Sequence, residues 1–290
     1  MRTIGLIGHP LAHSISPVFQ QAALDHLGLD ARYELWETER EALAERVAGI
    51  RRSDCLGANV TVPYKEVVMP LLDEIDSLAG RIGAVNTIVN RDGRLCGYNT
   101  DMTGFARALR EEGGFDPGGS HVVLLGAGGA GRAATMALIQ GRAASVTIAD
   151  VLPERAERLV ADLGGQGETV LRSVPATEHH LAPTLAGCRL LVNCTPIGMR
   201  HSKQEHDLPM SPELIPEGIL VFDIIYNPLE TRLLAEARKR GARTLGGLAM
   251  LVYQGADSFQ LWTGRQAPLD VMFEAARRAL WPEALKGSEK

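Results

Sequence analysis

The order of apolar and polar positions divides the chain into short strands and helices. Apolar runs at Thr3–Ile7, Arg32–Trp36 and Cys55–Val62 predict three strands ahead of Pro63, which stops the third. Between them, helical spacing runs from Ser16 to Leu27 and, with more charge, from Glu37 to Ile50. Ser16 is the expected N-cap of the first helix, with Pro17 in its first turn. Val67–Leu72 and Asp76–Ala79 read as short helical stretches. Ala84–Val89 and Arg94–Gly97 predict a hairpin around Asn90-Arg91-Asp92-Gly93, because Asp-Gly suits tight hairpin turns. A longer helix from Asp101 to about Glu112 precedes Gly113-Gly114-Phe115-Asp116-Pro117-Gly118-Gly119, the clearest linker in the chain.

Beyond the linker the alternation becomes regular. Strands are predicted at His121–Leu125, Ser145–Ala149, Leu190–Asn193, Leu220–Asp223 and Arg243–Leu245. Helices are predicted at Gly129–Gln140, Pro153–Leu163, His179–Leu185, Pro212–Ile215 and Thr231–Arg240. Such alternation implies an α/β fold with an open, mostly parallel sheet and helices on both faces. Gly246-Gly247 ends it, and two helices, Leu248–Trp262 and Pro268–Leu280, lead into a polar tail.

Composition narrows the function. A chain of 290 residues favours two domains, and 45% hydrophobic with 22% charged residues is ordinary globular composition. A net charge of −5 supplies no positive field, so neither nucleic acid nor a membrane surface is an expected partner. No apolar run reaches the roughly 18 residues of a membrane span, and the apolar start is too short for a signal peptide. Cys55, Cys96, Cys188 and Cys194 lie far apart with no CxxC, which suits a reducing cytoplasm and argues against a zinc or disulfide framework. A small-molecule substrate is the expected partner, with monomer and homodimer both open, and no metal site is expected.

The strongest local motif is Gly126-Ala127-Gly128-Gly129-Ala130-Gly131, a G-x-G-x-x-G between a predicted strand and a predicted helix. Gly126 makes the tight turn, Gly128 lets backbone approach a pyrophosphate, and Gly131 lets helix pack on strand. The helix N-terminus offers amides to the anion. Strand, helix, second strand and a closing acid occur in order, so residues 102–245 are read as a Rossmann-like dinucleotide-binding domain. Residues 1–101 and 246–290 are read as an α/β substrate-binding and catalytic domain, giving two lobes. The acid is Asp150, which either accepts hydrogen bonds from an adenosine ribose, favouring NAD over NADP, or caps the helix that begins at Pro153. Arg155 and Arg158 lie one and two turns further on and could meet a phosphate only if Asp150 turned aside.

Polar residues also gather at predicted strand ends in the first domain: Ser14 and Ser16, Asn59 to Lys65, Asn86-Thr87, and Asn99-Thr100-Asp101. Singly, each has an ordinary reading as a cap, a turn residue or, for Lys65, a solvated lysine. Together they resemble the shikimate dehydrogenase family. Ser14-x-Ser16-Pro17, Asn59-Val60-Thr61-x-Pro63-x-Lys65, Gly83-Ala84-x-Asn86-Thr87, Asn99-Thr100-Asp101 and the Gly126–Gly131 turn are similar to family motifs. So are Asn193-x-Thr195-Pro196-x-Gly198-Met199, Asp223-x-x-Tyr226-x-Pro228 and Gly246-Gly247-x-x-Met250-Leu251-x-x-Gln254. All eight occur in the family's order, from about residue 4 to about 275.

The resemblance implies reversible reduction of 3-dehydroshikimate to shikimate with a nicotinamide cofactor, in chorismate and aromatic amino-acid biosynthesis. It implies that Ser14 and Ser16 bind the substrate carboxylate. Thr61, Asn86, Asp101 and Gln254 would hold ring hydroxyls, with Tyr226 nearby. Lys65 and Asp101 would be the catalytic pair, and Ile224 and Gly247 would line the nicotinamide side. The chemistry fits, since hydride transfer to a ketone leaves an alkoxide that needs a proton donor, and a lysine ammonium can supply it. One departure bears on the cofactor. NADP-dependent members show Asn-Arg-Thr where this chain has Ala149-Asp150-Val151, which is more similar to members that use NAD. The expectation is therefore NAD or NADP, leaning to NAD. An NAD-dependent quinate/shikimate dehydrogenase is the nearest alternative. An inactive cofactor-binding regulator is more distant, and so is a methylenetetrahydrofolate-type dehydrogenase, whose two-domain plan lacks this Ser-x-Ser and Asn-Thr-Asp combination.

Overall fold

The computed structural model describes residues 1–280; the predicted polar tail lies outside the described residues. The chain forms two compact units, Met1–Gly104 with the chain from Val252, and Phe105–Leu251.

In the first unit the strands are β1 (Arg2–Gly8), β2 (Ala31–Glu37), β3 (Cys55–Val60), β4 (Glu74–Ile75), β5 (Thr87–Arg91) and β6 (Arg94–Tyr98), in the order β2-β1-β3-β5-β6-β4. β1 runs parallel to both β2 and β3, whereas β5 is antiparallel to β3 and β6. The β5–β6 turn forms as expected, with Asp92 and Gly93 at φ 53° and 86° and the Asn90 side chain accepting the Gly93 amide at 2.8 Å. The helices are α1 (Ser16–His26), α2 (Leu43–Gly49), α3 (Ser77–Ile82), α4 (Asp101–Glu111), α9 (Leu248–Thr263) and α10 (Leu269–Leu280). The chain passes from one unit to the other within α4 and again within α9. One sheet face is sealed by Ile7, Val47, Ile50, Ala58, Val60, Val68, Val85 and Ile88.

The second unit holds β7 (His121–Leu125), β8 (Ser145–Asp150), β9 (Val170–Pro175), β10 (Leu190–Asn193), β11 (Leu220–Asp223) and β12 (Arg243–Leu245). They form a wholly parallel sheet in the order β12-β11-β10-β7-β8-β9. Its helices are α5 (Gly129–Gln140), α6 (Pro153–Leu163), α7 (Glu178–Leu185) and α8 (Arg232–Lys239). The strand order reverses between β7 and β10, and such a switch point is where open α/β sheets bind ligands, beyond the strands' carboxyl ends.

Several local expectations are corrected. Residues 37–50 do not form one helix. Thr38 is fastened to the end of the sheet, its amide donating to Gly8 O and its carbonyl accepting from Tyr64 Oη, so helix begins only after a 3₁₀ turn at Arg40–Ala42. Val67–Leu72 contains only a 3₁₀ turn, Met69–Leu71, because Pro70 removes a helical donor. Ser16 is the first residue of α1 rather than its cap, which is Ile15. The stretch Pro212–Ile215 holds only a 3₁₀ turn, Pro212–Leu214. Strand β9 was not anticipated.

Candidate active site

In the first unit the parallel strands β1 and β3 end side by side, with Ile7 in register with Val60. The loops that follow carry Ser14 and Ser16 on one side and Thr61 and Lys65 on the other. They are tied together by backbone bonds from His9 N to Val62 O (3.1 Å) and Thr61 N to Ile7 O (2.8 Å). Ser14 Oγ accepts the Ser16 amide at 3.3 Å, and an oxygen that accepts in this way can still donate its own proton. Asn86 lies between strands, its amide donating to Tyr98 O and its carbonyl accepting from Val60 N.

Lys65 and Asp101, 36 positions apart, converge: Nζ lies 2.5 Å from Asp101 Oδ2. The side chains are only 14% and 6% exposed, so Lys65 is not the solvated lysine that its type favours. Nor is Asp101 spent as a helix cap. Asn99 Oδ1 accepts the Met102 amide at 3.2 Å instead, which leaves the Asp101 carboxylate for the lysine. Its other oxygen accepts from Asn86 Nδ2 at 3.0 Å. The same carboxamide reaches Thr100 Oγ1 (2.9 Å) and Gln254 Oε1 (3.2 Å), and its oxygen accepts the Thr100 amide at 2.7 Å. Lys65, Asn86, Asp101 and Gln254 thus share one hydrogen-bonded cluster.

A buried layer supports this cluster, and sequence reasoning gave it no role. Ser258 Oγ lies within hydrogen-bonding distance of Thr87 Oγ1 (2.7 Å), Thr100 Oγ1 (3.0 Å) and Asn59 Nδ2 (3.1 Å), and donates to Gln254 O (3.0 Å). Asn59 Oδ1 accepts from Tyr33 Oη at 2.8 Å. The available signal was a serine four positions after Gln254 on an apolar helix.

In the second unit the glycine motif makes the expected turn. Gly126 has φ +97°, and a Cβ there would press on Cys194 and Thr195. A Cβ on Gly131 would collide with the Gly126 carbonyl oxygen, whereas the space around Gly128, at the N-cap of α5, is open. A dinucleotide pyrophosphate fits such a turn, because backbone can approach it where no side chain intervenes.

Asp150 closes β8 but does not cap α6, whose N-cap is Leu152. It is 7% exposed; Oδ2 accepts the Ala127 amide at 2.7 Å and Oδ1 the Leu152 amide at 2.9 Å. The amide of Ala127, a residue of the glycine motif, is thus held by Asp150, which braces the turn. Val151 beside it is 76% exposed. Ile224 and Tyr226 follow β11, and Gly247 follows β12, where its amide donates to Ile225 O at 3.0 Å. Among the described residues no group of His, Cys, Asp and Glu could hold a metal ion, and no helix is long and apolar enough to cross a membrane.

Comparison with known proteins agrees with this architecture. Residues 6–88 match the shikimate dehydrogenase substrate binding domain, and residues 247–277 the shikimate 5'-dehydrogenase C-terminal domain. The chain is 45% identical over 277 residues to a shikimate dehydrogenase (NADP(+)) of Moorella thermoacetica, covering 96% of this chain and 93% of that one. Two crystal structures superpose closely. Shikimate 5-dehydrogenase of Thermus thermophilus, in complex with NADP(H) and shikimate, has a TM-score of 0.85 at 42% identity, covering 97% of this chain and 100% of that one. The enzyme of Listeria monocytogenes, in complex with shikimate and NAD, has a TM-score of 0.85 at 33% identity, covering 94% and 96%. With identity at this level across nearly the whole length, the chain belongs to the shikimate dehydrogenase family.

Proposed function

We propose that this chain interconverts 3-dehydroshikimate and shikimate with a nicotinamide dinucleotide, with Lys65 as proton donor and Asp101 as its partner. The observation that carries this reading is the buried 2.5 Å contact between them. A bound reduced nicotinamide supplies the hydride. Lys65 holds an ammonium proton at Nζ and delivers it to the oxygen that becomes negative as the ketone is reduced. In the oxidative direction the same amine takes a hydroxyl proton. Asp101 fixes the lysine in position through the contact between its Oδ2 and Nζ. Asn86 in turn fixes Asp101, and with Thr61 and Gln254 offers hydrogen-bonding groups to the ring hydroxyls. A substrate lacking those hydroxyls would forgo the hydrogen bonds that hold it in place. Ser14 and Ser16 bind the carboxylate. The turn Gly126–Gly131 binds the pyrophosphate, and Ile224 and Gly247 line the nicotinamide side.

We also propose that NAD serves at least as well as NADP, although relatives are named for NADP. The Asp150 carboxylate and the apolar, exposed Val151 place negative charge and no guanidinium directly after β8, with Arg155 and Arg158 further along α6. At 4 Å and an effective dielectric of 20, each like-charge pair costs about 4 kcal/mol. The two backbone amides on Asp150 soften that repulsion.

Steady-state turnover of shikimate and of quinate, each with NAD and with NADP, tests both statements. Shikimate turnover with NAD is expected. A tenfold or greater preference for NADP overturns the cofactor reading, and quinate turnover without shikimate turnover overturns the substrate reading.

A further inference from the structure

Asp223 is fully buried at the end of β11 and has no part in the chemistry above. Its carboxylate is nonetheless the meeting point of three segments. Asn193, its register partner on β10, donates Nδ2 to Oδ1 at 3.0 Å. The Ile225 amide donates to the same oxygen at 3.1 Å, and Thr231 Oγ1 donates to Oδ2 at 2.6 Å.

Each donor controls a loop. The Asn193 carboxamide oxygen accepts the Thr195 amide (3.1 Å) and hydroxyl (2.7 Å), and Thr195 Oγ1 accepts the Ile197 amide at 3.3 Å, so residues 194–197 are folded back on β10. Ile225 anchors the loop after β11. Thr231 caps α8 by accepting the Leu234 amide at 3.3 Å, which closes that loop at its far end. Gly247 closes it from the other side, because a Cβ there would collide with the Ile224 carbonyl.

These loops flank the switch point between β7 and β10. The Cys194–Thr195 backbone is packed against the Gly126 turn so closely that a Cβ on Gly126 would lie 3.0 Å from Cys194 C. Burial pushes the Asp223 carboxyl up to about 6, against three hydrogen bonds that pull it down, so at neutral pH the fold keeps an anion there despite the penalty. Such a group holds its donors in one arrangement, because an unpaired buried donor would be costly.

We propose that Asp223 is a positioning residue that sets the loops after β10 and β11 for the nicotinamide half of the dinucleotide. This rests on the reading that the dinucleotide lies on the Gly126 turn. It acts through Asn193, Ile225 and Thr231 and touches no reacting atom.

The test compares Asp223→Ala, Asp223→Asn and Asn193→Ala with the parent, each checked for fold by circular dichroism. kcat/KM for the dinucleotide is expected to fall at least fivefold in Asp223→Ala. The same fall is expected in Asn193→Ala, which keeps the carboxylate but cuts the 194–197 loop from it and decides the matter if Asp223→Ala does not fold. Asp223→Asn retains an acceptor for Asn193 and Ile225 and should recover at least half of the loss on a logarithmic scale. Shikimate affinity of the dinucleotide-free enzyme, by calorimetry, should stay within twofold in all three. A smaller fall, no recovery in Asp223→Asn, or a parallel loss of shikimate affinity overturns the proposal. If the parent binds NADH but does not turn over shikimate, the functional reading fails. NADH affinity, by its fluorescence, then decides on Asp223 against the same fivefold threshold.

Discussion

Replacing Lys65 with methionine keeps most of the side-chain volume and removes the charge. Asp101, 6% exposed, is left with Asn86 Nδ2 as its hydrogen-bond donor. Breaking a buried pair by deleting one partner costs about 3–5 kcal/mol, whereas a surface pair is worth at most about 1. Lys65 retains 14% exposure, so water can partly solvate the remaining carboxylate and the lower figure, about 3 kcal/mol, applies. Lys65→Met/Asp101→Asn removes the stranded charge while keeping an amide beside Asn86, so the double variant should recover about 2 kcal/mol of the loss. Urea unfolding followed by tryptophan fluorescence reads this in the right place, because Trp36 and Trp262 lie in the first unit and residues 105–251 contain no tryptophan. The single variant should also lose 10²- to 10⁴-fold in kcat, the usual worth of a positioned proton donor. A Lys65→Met protein within 1 kcal/mol of the parent, or a double variant less stable than the single one, would refute the buried-pair argument. Less than a tenfold loss of kcat would refute the chemical one.

Three further outcomes follow from individual groups. Because the folded carboxyl of Asp223 titrates at about 6, above its ordinary 3.8, the folded state binds more protons between those values. Its stability contribution is full below 3.8 and is lost as pH rises through 6, at about 1.4 kcal/mol per pH unit. Thermal melts of Asp223→Asn and the parent should therefore diverge in the variant's favour by about 2 kcal/mol between pH 4.5 and 7.5, and a constant difference would contradict the assignment. Gly131→Ala should abolish dinucleotide binding, seen as loss of NADH fluorescence enhancement, while shikimate affinity persists; unchanged NADH binding would show that the turn tolerates the collision. Burial pushes the Cys188 thiol up to about 11 and raises Cys55 and Cys96 as well, so at pH 8 only the half-buried Cys194 should react with a thiol reagent in the folded protein. Mass spectrometry of the labelled peptides reads which cysteine was modified.

What could be read in the sequence was whatever a short window contains. The strand-turn-helix at Gly126–Gly131 was legible because its three glycines serve one turn, and the β5–β6 hairpin because Asp92-Gly93 suits few other conformations. The strands of the parallel sheet showed as apolar runs, since both of their faces are covered. Edge strand β9 escaped for the opposite reason: Val170–Pro175 is half exposed and carries Arg172 and Ser173, so it lacks the run that betrays a central strand. The 37–50 stretch failed because Thr38 is held by Gly8 and Tyr64, partners outside any helical window.

The same division applies to the site. Nothing local distinguishes Lys65 from a solvated lysine; its carboxylate partner is 36 positions away, and only the resemblance to a family joined them. Asp150 showed as an acid at the right place, but its grip on the Ala127 amide did not, and that grip makes the residue proposed to select the cofactor part of the turn it serves. Substituting it therefore changes two things at once. Asp150→Asn removes the charge and keeps one of the two side-chain acceptors, whereas Asp150→Ala leaves both the Ala127 and the Leu152 amides without one. If repulsion by the carboxylate governs cofactor choice, the asparagine variant should gain NADP turnover without losing NAD turnover, and the alanine variant should lose both. If both variants lose both cofactors equally, bracing of the turn outweighs charge, and the preference lies with Val151 instead.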